Sequence, residues 1–356
     1  MEVSPLRFIH LADVHLGAVP DKGCPWSSQR EEEIWETFRR VIAGIRENPV
    51  DFLFIAGDLF HRRPLLRELK EVNYLFSTIP GTRVYMIAGN HDYLGGDSPA
   101  EEFEWAENVI FFKEERLVCV KDRKLDVYVY GLSYCRREIT QPLLENAQPG
   151  EGEGLHILLA HGGDESHLPM NISLLSAVGF DYIALGHIHK PAILIRDTAA
   201  YSGSLEPVDR NEMGAHGYIE GHIENGRLRT RFVPFASRAY EQIILTLHED
   251  TTQLSLEEML KEEIYRRGGL NIYRVILRGF RAPELLLLPE KLKTMGNIIE
   301  VQDESKPAYD LEELLCRYNG TLIGDYIQYF MDKKDRSAVE EKALYYGLQA
   351  LLETGR

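Results

Sequence analysis

Six short apolar runs constrain what this chain can fold into. They are separated by amphipathic segments, and each ends in a loop that contains glycine, aspartate, asparagine or histidine. The runs lie at residues 6–12, 52–56, 84–88, 127–130, 156–160 and 182–185. Their length and composition predict buried β-strands. Segments 29–46 and 64–77, between the first three runs, carry apolar residues at helical spacing. This alternation predicts a layered α/β fold in which helices pack against the strands.

The sequence predicts three successive regions. Short alternating strands between residues 193 and 235 are expected to close the first region with antiparallel structure. After Pro234 the alternation of strand and helix continues on a smaller scale, with a helix expected at 283–293. From Tyr309 onward the pattern is mainly helical. We therefore predict domains at 1–235, 236–306 and 307–356.

The composition bounds the classes of protein to consider. There are 40 Lys and Arg residues against 56 Asp and Glu residues, and the net charge of −16 counts against an extended basic surface for nucleic acid. No apolar run approaches the roughly 20 residues of a membrane span, and no secretory signal pattern is found, so we expect a cytoplasmic protein without a membrane partner. The 4 cysteines form no C-x-x-C pair, which argues against a disulfide framework or a thiolate zinc site.

Seven side chains with oxygen or imidazole ligand atoms lie in five loops, each at the end of a predicted strand. They are Asp13, His15, Asp58, Asn90, His161, His187 and His189. Residues i and i+2 of an extended segment point the same way, so the D-x-H and H-x-H pairs can each present two ligands to one place. Such ligands, without thiolate, favour Mn²⁺, Fe²⁺, Mg²⁺ or Zn²⁺. Seven are too many for one ion that keeps an open position, and they fit two ions that share a carboxylate.

These clusters, in their order, resemble the calcineurin-like metallophosphoesterase superfamily over roughly residues 7–235. The segments FIHLADVHLG, FIAGDLFH, IAGNHD, LLAHGG, ALGHIHKP and YSGSLEP are more narrowly similar to SbcD-type DNA repair exonucleases, which include YhaO-like proteins. Phosphoprotein phosphatases of the superfamily carry Asp-Arg-Gly after the G-D turn, whereas this chain has Phe60, His61 and Arg62. The resemblance implies an α/β, layered metallophosphoesterase sandwich of two mixed β-sheets flanked by helices, followed by a small α/β capping domain and C-terminal helices.

The resemblance also implies how the site residues divide their roles. The first metal would be held by Asp13, His15, Asp58 and His189, and the second by Asp58, Asn90, His161 and His187. Mn²⁺ is the expected ion at both positions, with Fe²⁺, Mg²⁺ and Zn²⁺ as alternatives. His91 is expected beside the substrate phosphate as a transition-state stabiliser or proton donor, Asp92 as the partner that orients the His91 imidazole, and His61 as a further substrate-facing histidine. A water between the two metals would then attack phosphorus and hydrolyse a phosphodiester.

Substrate contacts are expected beside the metal loops. Four basic residues and one acidic residue lie between His61 and Lys70, at the edge of the expected cleft. For the two arginines that open this stretch, a phosphate contact and a solvated position are equally expected. The YSGSLEP match favours a nuclease over an enzyme for small diesters. The candidate substrate-binding residues are Arg62, Arg63, Lys190, Tyr201 and Ser202.

Three functions stay open at this point. The expected one is a DNA exonuclease or endonuclease of a DNA repair complex; the alternatives are a general phosphodiesterase for nucleotides or other small diesters, and a non-catalytic DNA-end-binding subunit. By resemblance, the partners are DNA and an SbcC-like coiled-coil ATPase bound by the C-terminal helices, although those helices could equally cover the capping or main domain. The helix around residues 65–76 is, by the same analogy, a homodimer surface.

Overall fold

The computed structural model describes residues 6–224 and 227–354. Residues 1–5 and 225–226 of the first predicted domain, and residues 355–356 of the third, therefore lie outside the described part. The chain divides into two units, Met1–Tyr240 and Glu241–Arg356. Within the described residues, no helix combines the length and apolar character needed to cross a membrane.

The first unit alternates strands with helices. Its strands are β1 (Leu6–Leu11), β2 (Phe52–Ala56), β3 (Arg83–Ile87), β4 (Val109–Phe112), β5 (Val118–Asp122), β6 (Val127–Gly131), β7 (Leu155–His161), β8 (Tyr182–Gly186), β9 (Ala192–Ile195), β10 (Ala199–Tyr201), β11 (Gly217–Glu224) and β12 (Arg227–Pro234). Its helices are α1 (Ser27–Glu47), α2 (Leu66–Ser77), α3 (Pro99–Glu102) and α4 (Ile172–Ala177).

The strands of this unit form two mixed six-stranded sheets. The first has the order β12-β11-β1-β2-β3-β4, and the second has the order β5-β6-β7-β8-β10-β9. Strands β1 to β4 run parallel, as do β6, β7, β8 and β10, while the hairpin β11–β12 and the edge strands β5 and β9 are antiparallel to their neighbours. The predicted layered α/β fold with two mixed sheets is therefore confirmed.

Aromatic side chains fill the space between the two sheets. The Phe8 ring lies 5.3 Å from that of Phe54 in its own sheet and 4.9 Å from that of Tyr182 in the second sheet. On the outer face of the first sheet, Phe38 of α1 packs against Phe76 of α2, with ring centroids 6.1 Å apart. All five are buried, and each contributes about 1.5–3 kcal/mol relative to an exposed side chain.

The direction of the strands determines where the polar loops lie. Strands β1, β2 and β3 are parallel in the first sheet, and β7 and β8 are parallel in the second, so the carboxyl ends within each sheet share one edge. The Nδ1 atom of His161, the last residue of β7, lies 2.9 Å from the carbonyl oxygen of Ala56, the last residue of β2. This contact brings the loop-bearing edges of the two sheets together.

Among the residues that the structure describes, the second unit contains a four-stranded sheet and five helices. Its elements are β13 (Tyr240–Leu247), α5 (Gln253–Arg267), β14 (Ile272–Arg281), α6 (Pro289–Lys293), β15 (Ile298–Asp303), β16 (Lys306–Pro307), α7 (Leu311–Arg317), α8 (Leu322–Met331) and α9 (Ala338–Thr354). Strand β14 lies between β13 and β15 and also pairs with β16. Leu256 and Leu260 of α5 pack with Val275 of β14 in the core of this unit. The residues that follow, 311–354, are mainly helical.

One predicted helix is wrong in extent. The pattern at 283–293 predicts a single helix, whereas only Pro289–Lys293 is helical. Pro289 has no amide hydrogen and disfavours the helical conformation for the residue before it, so a helix that runs through this position is disfavoured by about 3 kcal/mol. It can begin there, because the first amide of a helix has no partner within the helix.

Candidate metal centre

Four of the seven candidate ligands occupy a backbone conformation that side chains other than glycine rarely adopt. The φ angles are +50° at Asp13, +53° at His15, +50° at Asp58 and +96° at His187. Each residue lies in the loop directly after a strand, and the loops after β1 and β2 run side by side, with the Asp13 amide donating to the Gly57 carbonyl and the His15 amide to the Asp58 carbonyl. A conformation of this kind costs on the order of 1–3 kcal/mol per residue and is concentrated at functional sites.

The first group of ligand atoms surrounds the Nε2 atoms of His15 and His189, which lie 3.0 Å apart. An Asp13 oxygen lies 3.9 Å from His189 Nε2 and an Asp58 oxygen 3.9 Å from His15 Nε2. Asp13 and His15 are completely buried, and His189 is partly exposed. This group therefore has one side open to solvent.

The second group surrounds Oδ1 of Asn90, which lies 2.9 Å from His161 Nε2 and 3.2 Å from His187 Nδ1. The Oδ2 atom of Asp58 lies 3.3 Å from the same His161 nitrogen. Two ligands in neighbouring positions, each about 2.1 Å from one octahedral ion, lie about 3.0 Å apart. The donor atoms and their spacing therefore fit a divalent cation.

Asp58 belongs to both groups through one atom. Its Oδ2 approaches His15 Nε2 on one side and His161 Nε2 on the other, whereas its Oδ1 accepts a hydrogen bond from the His91 backbone amide at 2.9 Å. The carboxylate is 1% exposed. A buried carboxylate oxygen between two sets of imidazoles is suited to bridge two cations.

The charges of the ligands depend on one another. Burial opposes protonation of His161, but the charge and hydrogen bond of Asp58, together with the Asp13 carboxylate and the Ala56 carbonyl, outweigh burial and raise the pKa of His161 to about 9. Burial would raise the pKa of Asp58, but the same contact with His161 holds it well below the usual range. Burial raises the pKa of Asp13 to about 6. His161 must lose its proton before Nε2 binds a cation, so cation binding here weakens as the pH falls.

Gly89 lies so close to the ligands that no side chain fits. A Cβ atom at this position would lie 2.8 Å from His161 Cε1 and closer still to Asp58 Oδ1. We therefore expect Gly89→Ala to displace both ligands, to weaken metal binding and to lower the free energy of unfolding by about 1–3 kcal/mol. Thermal melts and metal analysis of the purified protein measure the two effects.

Gly44→Ala is the matched control, because a Cβ atom at Gly44 has no neighbour within 4 Å in the described part of the chain. Gly44 lies in α1, where alanine is favoured over glycine by about 1 kcal/mol. We expect this variant to be at least as stable as the parent chain and to bind the same amount of metal. Equal behaviour of the two variants would contradict the close packing at Gly89.

His91 and His61 lie side by side at the open side of the ligand groups. Their rings are stacked, with centroids 5.2 Å apart, and the His61 side chain is exposed. The His91 Nδ1 atom lies 3.0 Å from the His61 carbonyl oxygen. Because a carbonyl only accepts, Nδ1 carries the hydrogen and Nε2 is left for another partner.

Asp92 has a different role from the one predicted. In the described part of the chain, its two oxygens accept hydrogen bonds from the backbone amides of Gly89 at 2.7 Å and Phe60 at 3.1 Å, rather than from the His91 ring. It is buried, and burial raises its pKa to about 7. Asp92 thus joins the loops after β2 and β3, while the His61 carbonyl is the group that orients the His91 ring.

The candidate phosphate-binding cations differ in their availability. Both end nitrogens of Arg62 bind the Glu68 carboxylate, at 3.0 and 2.8 Å, and Arg63 binds the Gly95 carbonyl and lies over the Tyr93 ring. Arg62 and Arg63 are thus held by groups of the protein itself, although both are exposed. Lys190 is exposed next to His189.

Tyr201 and Ser202, predicted to bind substrate, are buried instead. The Tyr201 hydroxyl donates to the Gly162 carbonyl at 2.8 Å, and Ser202 is completely buried, with its hydroxyl directed at the Gly203 carbonyl. The physical reason is the position of Tyr201 at the end of β10, inside the second sheet. Tyr201 supports the loop after His161 through the Gly162 carbonyl, and neither side chain lines the open cleft.

Two carboxylates that the sequence does not reveal contact the last ligand pair. Glu212 Oε1 lies 2.8 Å from His189 Nδ1, and Asp164 Oδ2 lies 2.7 Å from His187 Nε2. Neither belongs to a spaced motif, and each lies 23 residues from its histidine along the chain. Asp164 directly follows the H-G-G segment, and this position next to a candidate ligand is the one sequence feature that could have indicated its role.

Comparisons with known proteins agree with this geometry. Residues 6–191 match the family described as calcineurin-like phosphoesterase. The chain is 31% identical over 330 residues to the uncharacterized metallophosphoesterase YhaO of Bacillus subtilis, a match covering 85% of the chain and 79% of that protein. It is 30% identical to the DNA double-strand break repair protein Mre11 of Methanocaldococcus jannaschii, over 58% of each chain. It is 25% identical to a subunit of the nuclease SbcCD of Staphylococcus epidermidis, over 76% of the chain and 80% of that protein.

Proposed function

Since this chain belongs to the calcineurin-like phosphoesterase family, a family of metal-dependent hydrolases, we propose that it hydrolyses phosphodiester bonds with two divalent cations. The observation that carries the proposal is the position of Asp58 Oδ2 between the two groups of imidazoles, 3.9 Å from His15 Nε2 and 3.3 Å from His161 Nε2. We assign Asp13, His15 and His189 to one cation, Asn90, His161 and His187 to the other, and Asp58 to both. Bound cations would activate a water as nucleophile and offset the charge of the phosphate.

The protein's own groups complete the reaction. His91 Nδ1 donates to the His61 carbonyl, so Nε2, on the other side of the ring, is the atom that serves the substrate. When protonated, Nε2 donates a hydrogen to the leaving oxygen as the bond to phosphorus breaks. His61, exposed and stacked on His91, contacts the phosphate backbone. Asp92 keeps this loop in position through the Gly89 and Phe60 amides.

We propose Mn²⁺ as the cation and DNA as the substrate. The ligand set mixes imidazoles with carboxylate and amide oxygens, which is intermediate between the preferences of Zn²⁺ and Mg²⁺. The similarity to a double-strand break repair protein and to a nuclease subunit favours DNA. Lys190, exposed beside His189, is available to contact a second phosphate of a polymer.

A specific observation favours a second candidate, a phosphodiesterase for nucleotides or other small diesters. Arg62 is bound to Glu68 through both end nitrogens, so the basic position next to His61 carries its own counterion. A phosphate contact of a polymer at Arg62 would have to compete with this carboxylate. A small diester needs only the candidate metal ligands and His91, and no phosphate contact beyond them.

We also propose surfaces for partners. Leu322 and Tyr329 of α8, and Val339 and Tyr346 of α9, are exposed large apolar residues of the C-terminal helices. We assign this surface to a coiled-coil ATPase like SbcC. Leu66 and Tyr74 are exposed on α2; a homodimer that formed there would cover them.

The test compares three substrates in the presence of Mn²⁺: labelled linear duplex DNA, labelled single-stranded DNA, and bis-p-nitrophenyl phosphate. We expect cleavage of DNA as well as of the small diester, and DNA binding that weakens steeply as salt rises, because a polymer releases several counterions and a small monoanion does not. If only the small diester is cut, with and without the cognate ATPase, the DNA proposal fails and the second candidate stands. If none of the three is cut, the hydrolase proposal fails.

A further inference from the structure

Glu212 connects a candidate metal ligand to the loop that carries the YSGSLEP segment. Its Oε1 lies 2.8 Å from His189 Nδ1, while its Oε2 accepts hydrogen bonds from the Ser204 hydroxyl and the Val208 backbone amide, both at 3.0 Å. The carboxylate is 12% exposed. Both oxygens are therefore engaged and the orientation of the side chain is determined from two sides.

The two ring nitrogens of His189 face opposite directions. Nδ1 faces Glu212, and Nε2 faces His15 Nε2 at 3.0 Å and Asp13 at 3.9 Å. A carboxylate only accepts, so the contact with Glu212 keeps the hydrogen on Nδ1. The lone pair is then on Nε2, among the other candidate ligand atoms. A carboxylate in this position also makes the imidazole a stronger base.

We propose that Glu212 is a positioning residue that selects the metal-binding nitrogen of His189. The inference rests on the proposed dimetal function. Ser204 and Val208 take part because they hold the carboxylate in place. On this view, the YSGSLEP segment affects the metal centre through the hydrogen bond from Ser204 to Glu212 and the contact of Glu212 with His189, rather than by contacting the substrate.

His187 provides an internal comparison, because its ring has the opposite arrangement. Nδ1 faces Asn90 at 3.2 Å, and Nε2 contacts the Asp164 carboxylate at 2.7 Å. His167 Nδ1 lies 3.0 Å from the same carboxylate. Asp164 is 47% exposed and Glu212 is 12% exposed, so water can replace the hydrogen bond of Asp164 more readily than that of Glu212. Glu212 is therefore the position at which the effect is largest.

The decisive variant is Glu212→Gln, which keeps the shape but has one accepting oxygen. If that oxygen serves the Val208 amide, the NH₂ group faces His189, donates to Nδ1 and moves the ring hydrogen to Nε2, where it blocks a cation. If it serves His189 instead, the NH₂ group faces the Val208 amide, which is also a donor, and the side chain is no longer held in place against the His189 ring. Either way, we expect about 10–100-fold weaker Mn²⁺ binding at one of two sites, measured on the full chain by calorimetry and by the electron paramagnetic resonance signal of free Mn²⁺.

Glu206→Gln is the matched control. Glu206 lies in the same segment and is completely buried, but it accepts from Thr37 Oγ1 at 2.6 Å and from the Ser237 amide, and contacts none of the candidate ligands among the described residues. We expect it to lower the melting temperature without changing Mn²⁺ affinity. Glu212→Asp retains the charge and should recover part of the lost affinity.

The outcomes separate this inference from the function on which it rests. Weaker binding at one site in Glu212→Gln, with Glu206→Gln unchanged, supports it. Tight binding of two Mn²⁺ ions by the parent chain and by Glu212→Gln alike would overturn the role of Glu212 and leave the dimetal proposal standing. A parent chain that binds no Mn²⁺ would overturn both.

Discussion

Replacement of Asp58 by asparagine is expected to abolish tight binding of both cations and to reduce phosphodiester hydrolysis by about 10⁴-fold or more, since nucleophile activation and charge stabilisation are lost together. Asp58 Oδ1 accepts from the His91 amide, while Oδ2 is the atom that both imidazole groups share. Asparagine has one accepting oxygen for these two tasks and no charge to offset two cations. Metal content after gel filtration and turnover of bis-p-nitrophenyl phosphate measure the two losses.

Asp51→Asn is the matched control for this experiment. Asp51 lies just before the opposite end of β2 and accepts from the Arg7 backbone amide at 2.8 Å. The substitution is chemically the same, but it is remote from the ligand groups, and we expect normal metal content and turnover. An Asp58→Asn protein that retained two tightly bound cations would contradict the shared role of Oδ2.

The seven candidate ligands can be grouped at one place from the sequence because two strong regularities act together. Ligand types recur at the ends of apolar runs, and parallel strands bring such ends to one edge of a sheet. Neither regularity requires knowledge of side-chain conformations. The positive φ angles at Asp13 and Asp58, however, follow from the folded loops and have no sequence signal beyond the nearby glycine at residue 57.

The surroundings of the ligands are less predictable for a physical reason. Glu212 and Asp164 reach their histidines from loops that no periodicity describes. Asp92 follows His91 in sequence, which suggests a pair, but two backbone amides compete successfully for its oxygens. Hydrogen bonds of this kind depend on the conformation of a loop rather than on residue type or spacing.

The net charge of a sequence segment does not show which of its charges are already paired in the fold. The stretch from Arg62 to Lys70 has a positive net charge, yet Glu68 binds both end nitrogens of Arg62 and also accepts from the Leu65 amide at the start of α2. Glu68 therefore both begins the helix and holds the arginine. A net charge of +3 over the stretch overstates the positive charge that a phosphate would meet.

His91→Asn is expected to leave both cations bound while reducing turnover of DNA by about 10²–10⁴-fold, the usual contribution of a general acid. The His91 ring donates from Nδ1 to the His61 carbonyl, and the His91 backbone amide donates to Asp58 Oδ1. The asparagine amide nitrogen can take the place of Nδ1, and the backbone contact is unchanged. What the variant lacks is Nε2, the atom proposed to protonate the leaving oxygen.

The choice of substrate separates proton donation from a merely structural effect. p-Nitrophenolate is a weakly basic leaving group that needs little assistance from an acid, whereas the alkoxide leaving from DNA is strongly basic and does. If His91 is the acid, the loss with bis-p-nitrophenyl phosphate should be much smaller than the loss with DNA. Equal losses with both substrates, or metal content near zero in the variant, would instead mean that His91 supports the metal centre and does not donate the proton.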